Sequence, residues 1–333
     1  MTAPFIDLLG AARGPRVRSE GLRQSLTFAF SSGGNQADLA RALSEAKPEP
    51  TLWSAECFAE DLFLGPLLER CLWRGRPAPR SSASAGVRRY LLGILSTPPT
   101  GAQALEVLAF RQAISRELDR DTALAERVNE LVERIEALFE LLEAGGVGVR
   151  LDPVRRGLDI LGALRGIVDA GLGFRTAQSG LARIAAWADV TRSSPGYQRL
   201  LALLEHDGRA ASIQVNLRLG RQGDVRSLEL IRIEEDDDNP FHVTPWSRFW
   251  SALRLALRGY RLRREEVFAR LVHETFEAVL NVFPALLELL GDLEFYRLGS
   301  ALAHRARERG LAVCLPEFSP GGRSLSELWN PFL

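Results

Sequence analysis

Apolar residues in this chain recur mostly at steps of three and four. The clearest run is Leu105, Leu108, Ile114, Leu118, Leu124, Val128, Leu131, Ile135, Leu138 and Leu142. That spacing lines up one stripe of a helix, and Gly145-Gly146 stop it, so the stretch reads as one long helix or a helical pair. Residues 153–169, 176–190 and 195–205 carry shorter helical stripes, each closed by Gly, Pro or Ser. A second strong stripe runs through Val267, Phe268, Leu271, Val272, Phe276, Val279, Leu280, Phe283, Leu286, Leu287 and Leu290. Joined to residues 246–262, it predicts a rod of roughly forty residues or more, about 60 Å long, kinked at Pro284. Gly291 ends that rod, and a further helix over 292–309 is capped by Gly310.

The period changes to two where Ile213, Val215, Leu217 and Leu219 alternate with Gln214, Asn216 and Arg218. A Gly-rich turn and a second alternating stretch follow, which predicts a β-hairpin over 211–235. Residues 311–315 read as another strand. The first 85 residues are mixed: alternation over 22–30 predicts a strand, 37–46 and 56–73 have helical spacing, and 76–85, rich in Pro, Ser and Ala, reads as a linker.

Composition narrows the chemistry. Forty-two basic residues balance forty-two acidic ones among 333, so no global field draws the chain to nucleic acid, and such contact needs a local patch. Lys47 is the only lysine, which removes the phosphate-loop pattern G-x-x-x-x-G-K-[ST] and the S-x-x-K pattern. Cys57, Cys71 and Cys314 are too few and too scattered for a zinc ribbon, and their odd number points to a reducing cytoplasm. No run approaches the roughly 18 apolar residues of a membrane span, so no membrane contact is expected.

Candidate sites thin out in the same way. Of His206, His242, His273 and His304, two have an i+4 carboxylate, Glu277 and Glu308, which is too few ligands for zinc. Glu234 to Asp238 lacks the calcium-loop spacing, Gln178-Ser179-Gly180 lacks the nucleophile elbow, and Gly145-Gly146-Val147-Gly148 lacks the preceding strand and third glycine of a dinucleotide loop. No metal site, cofactor site or catalytic residue is expected in this chain. Arginine is different. Arg218, Arg221 and Arg226 cluster at the predicted hairpin tip against Asp224 alone, and guanidinium groups on a protruding tip can neutralise phosphates and release counterions. These three are the candidate nucleic-acid-binding residues; the competing reading is a solvated face laced with ion pairs.

The order of parts resembles the MutS family of mismatch-repair ATPases, in particular relatives without the mismatch-reading domains. Leu108-Ala109-Phe110-Arg111-Gln112-Ala113-Ile114 is similar to the segment that opens the family's helical core. Leu293-Glu294-Phe295-Tyr296, Gly310 to Glu317 and Trp329-Asn330-Pro331 are similar to the exit toward its ATPase domain, with Asn330 where the family has His. The resemblance covers about residues 100 to 333. It implies a mainly α fold: a long-helix core and lever bundle, a β-hairpin insertion in place of the DNA clamp, and the first strands of an incomplete α/β ATPase domain. The domains it implies are a mixed region over 1–85, a core and lever over 86–310 containing the hairpin 211–235, and a truncated ATPase start over 311–333. The implied function is coupling of double-stranded DNA binding to ATP binding and hydrolysis. ATP and Mg²⁺ would sit in a downstream domain, which would also form a homodimer. The acidic run 234–238 beside the hairpin departs from a phosphate-facing surface. The alternative is a helical scaffold that binds other proteins through its amphipathic faces.

Overall fold

The computed structural model describes residues 6–10, 17, 19–32, 39–46, 53–69, 82–100, 104–143, 153–206 and 264–316, and the backbone alone of 212–219 and 225–234. Among the described residues, ten helices precede residue 207: α1 Ser19–Ser32, α2 Leu39–Ser44, α3 Ala55–Asp61, α4 Leu64–Leu68, α5 Ser82–Ser96, α6 Ala104–Arg120, α7 Thr122–Glu143, α8 Pro153–Leu172, α9 Ala182–Arg192 and α10 Pro195–His206. After the insertion come α11 Arg264–Val279 and α12 Phe283–Glu308, separated by a 3₁₀ turn at Leu280–Val282.

The residues whose side chains are described are 84% helical and include no strand. The predicted fold class is therefore corrected: the described core is all-α, with no β-hairpin in it, and no strand of an α/β ATPase domain is found among the described residues. Residues 311–316 run without regular structure and are mostly exposed. Their alternation is real, but no neighbouring strand among the described residues offers the backbone partners a ladder requires. Between α10 and α11 the backbone of Ser212–Leu219 pairs antiparallel with Val225–Glu234. The side chains of this pair lie outside the described residues.

Three further expectations change. Residues 22–30 are helical, because Leu22, Leu26, Ala29 and Phe30 form a buried i, i+4, i+7, i+8 row while the alternating Phe28 stays 56% exposed. The long rod is divided by the 3₁₀ turn, Pro284 lies in the first turn of α12, where a missing N–H costs nothing, and residues 246–262 lie outside the described residues. Gly291 does not stop a helix; α12 passes straight through it. The helical pair over 104–143 is present as α6 and α7, and Asp121 Oδ1 caps α7 by accepting from the Leu124 N–H at 3.0 Å.

One hydrophobic cluster runs from Ile6 to Leu298. Helix α12 is its axis, packed by α2, α5, α6 and α7, while α8 bridges α7 to α9, α10 and α11. Arg156, buried at the start of α8, ties two helix ends together. Its guanidinium donates to the Ala29 and Phe30 carbonyls at the end of α1, both at 3.2 Å, and to the Leu142 carbonyl at the end of α7 at 2.8 Å. Those carbonyls lack intrahelical partners and sit at negative dipole ends, so a cation is favoured there although burial lowers its pKa.

Candidate functional site

The central polar site is a chain segment, Ile6 to Gly10, held inside the bundle by side chains from α5, α6, α9 and α12. Ile6, Leu8 and Leu9 are buried. An irregular peptide in an apolar interior must find partners for each N–H and C=O, or lose a few kcal/mol per orphaned group. Here the helices supply them. Asp292 of α12, fully buried, accepts the Leu8 N–H at 3.1 Å and the Tyr90 hydroxyl of α5 on its other oxygen. The Tyr296 hydroxyl donates to the Leu8 carbonyl. Arg111 Nε of α6 donates to the Leu9 carbonyl at 2.8 Å, and Arg183 Nη1 of α9 to the Asp7 carbonyl at 2.6 Å. Asp7 turns back on its own segment, accepting the Leu9 N–H at 3.0 Å, and lies 3.7 Å from the Arg183 guanidinium. Further along, Glu288 Oε2 accepts the Val17 N–H at 3.4 Å.

Aromatic faces keep the two arginines in place. The Arg183 guanidinium lies 4.3 Å from the centre of the Phe110 ring and that of Arg111 5.5 Å from the Phe295 ring. Gln112, beside Arg111, donates to the Pro316 carbonyl at 2.8 Å, so adjacent residues of α6 hold both the amino-terminal segment and the tail beyond α12.

At the rim, Glu117 of α6 accepts the backbone N–H groups of Gln178 (2.7 Å) and Ser179 (2.9 Å) ahead of α9. Burial pushes its carboxyl up, but the Gln178 and Ser179 donors outweigh that and leave its pKa lowered. Tyr197 of α10 shows the opposite balance: burial, with Asp169 nearby, pushes its phenol up to about 12, against the opposing pull of Arg165 and Arg192.

None of this brings the predicted nucleic-acid residues together with the interior site. Arg221 lies outside the described residues. Arg218 and Arg226 are described by backbone alone: Arg218 sits opposite Ser227, and a register shift before Leu219 leaves Arg226 without an opposite residue. Among the described residues no group of three or more His, Cys, Asp or Glu side chains gathers, and no helix is long and apolar enough to cross a membrane. Sequence reasoning missed the interior site. A usable signal existed in Glu288, Asp292 and Glu294, three carboxylates inside a leucine-rich helical run. No protein-family model, no curated protein and no solved structure matches the chain.

Proposed function

We propose that this chain is the core and lever region of a MutS-like DNA-repair protein, coupling duplex binding to ATP binding and hydrolysis in a downstream domain. One observation carries the reading. The segments similar to that family, Arg111-Gln112 and Leu293 to Tyr296, are far apart in sequence yet meet around a single buried peptide, with Arg111 over Phe295 and Tyr296 on Leu8. A contact of this kind is what two parts of one core motif require. The path of α10 and α11 agrees with a lever. Gly196, near the start of α10, faces the carbonyl of Ala278, near the end of α11, so closely that a Cβ would lie 2.4 Å from it. The start of α10 and the end of α11 are therefore rooted together in the core, and the segment carrying Arg218, Arg221 and Arg226 lies between the two helices in sequence.

In this reading that segment touches duplex DNA in the cytoplasm, and the dimer forms through the downstream domain. ATP and Mg²⁺ belong to that domain, since the single lysine of this chain stands in no phosphate loop. The test is fluorescence anisotropy on a labelled duplex across a salt series. Binding should fall steeply with salt. Replacing Arg218, Arg221 and Arg226 together with alanine should flatten the log–log slope by about 2 to 3, near 0.9 for each phosphate no longer neutralised. Binding that ignores salt, or an unchanged slope, would favour the scaffold reading instead.

A further inference from the structure

We propose that the channel lined by Tyr90, Arg111, Arg183, Asp292 and Tyr296 is a recognition site for a short, bent peptide of the pattern apolar–Asp–Leu–Leu. In the structure the chain's own Ile6 to Leu9 fills it, and the same segment of a second copy can take its place.

The geometry is that of a receptor for main chain. Both the N–H and the carbonyl of Leu8 are met by side chains of α12, while the carbonyls on either side of it go to arginines of two other helices. A buried segment without regular structure has no backbone ladder to satisfy it; this one is read by charged and phenolic side chains, as a bound peptide is. Sequence specificity is built in as well. The three buried apolar side chains select Ile6, Leu8 and Leu9. Asp7 is selected twice, by the 3.7 Å approach of Arg183 and by the turn it closes onto the Leu9 N–H.

The exit is shaped too. Gly10 adopts φ +73°, and a Cβ there would stand 2.9 Å from the Phe110 ring, so the chain leaves the channel through a left-handed turn that a larger residue would obstruct. The Arg183 side chain at the rim is half exposed, which lets it meet an incoming carboxylate before the interior closes.

The test uses the full chain with a specific protease site inserted between Gly10 and Val17. After cutting, the nicked protein is mixed with an excess of a fluorescent peptide of residues 2–10, standing in for a second copy's segment, and helical content is followed by circular dichroism. The expected result is saturable uptake of about one peptide per chain with helicity unchanged. An Asp7→Ala peptide, which gives up the approach to Arg183 and the turn onto the Leu9 N–H, should bind at least about tenfold more weakly, as should the natural peptide to the Arg183→Met protein, which gives up that approach and the bond to the Asp7 carbonyl. Failure of a folded, nicked protein to exchange its segment would overturn the proposal, making the segment a fixed piece of core. So would loss of helicity on cutting, or equal uptake of a scrambled peptide. None of these outcomes depends on DNA or nucleotide.

Discussion

Helices α7 and α12 are the two longest in the bundle, and they bury themselves in different ways. In α7 the residues Leu124, Val128, Leu131, Val132, Ile135, Leu138, Phe139 and Leu142 make one dry row, and the intervening Glu and Arg side chains face water. The first half of α12 is buried nearly all round, and Glu288, Asp292 and Glu294 are inside with it. The contrast shows what makes an interior carboxylate tolerable. The buried row of α7 is wholly apolar, whereas Asp292 in α12 is buried because backbone and phenolic donors from distant segments replace the water it loses. Glu294 is met by Arg297 one turn on.

The largest effect separating the two helices should come from Asp292→Ala. It orphans the Leu8 N–H and the Tyr90 hydroxyl together, and should cost about 3–5 kcal/mol in urea unfolding. Ile135→Ala in α7, a pure cavity, should cost about 2–4 kcal/mol. The sharper readout is coupling: Asp292→Ala combined with Tyr90→Phe should cost clearly less than the sum of the two, since they share one network. Strict additivity would break the comparison.

Glycine substitutions come next in size. A Cβ at Gly291 would lie 2.5 Å from Tyr90 Cε1, while one at Gly162 of α8 would meet nothing within 4 Å. Gly291→Ala should therefore destabilise by about 1–3 kcal/mol, overpacking outweighing the better helix propensity of alanine. Gly162→Ala should stabilise by about 0.5–1 kcal/mol. Thermal unfolding of both variants checks this, and shifts of the same sign would remove the distinction between a crowded and an open helix face.

The smallest effect concerns Glu117, which does at the rim what Asp292 does inside. Its folded pKa is lowered from 4.5, so its contribution is complete above that value and disappears as pH falls through the lower folded one. Glu117→Gln should lower stability modestly at pH 7, where the contribution is complete, and make stability less dependent on pH below about 4.5. Parallel acid-unfolding curves for the variant and the parent would mean that the Gln178 and Ser179 donors do not hold the carboxylate in solution.

The helical period alone located α6 to α10 and the apolar rows of α7 and α11, because those rows are long and repeat every turn. It failed where two periods coexist in one short stretch. Residues 22–30 satisfy both alternation and a helical row, and burial of Leu22, Leu26 and Ala29 decides for the helix. It failed again at glycine. Gly291 looks like a stop on its own, but the Tyr90 ring packed on it gives a reason for a small residue in mid-helix. The resemblance points to Arg111, Gln112 and Tyr296 without any contact being visible, though not to what they hold.

By itself, the sequence determined that the long periodic stretches are helical, which of their faces are apolar, and that neither a phosphate loop nor a membrane span is encoded in these residues. All of these depend on residues within a few turns of one another, and the chain states them directly. Only the tertiary structure decided that Asp292 is an interior acceptor, that Ile6 to Leu9 lie in a channel, and that Arg111 and Phe295 are neighbours. The partners concerned are as far apart as 288 positions, and a polar group's burial is set by whichever donors the fold brings to it.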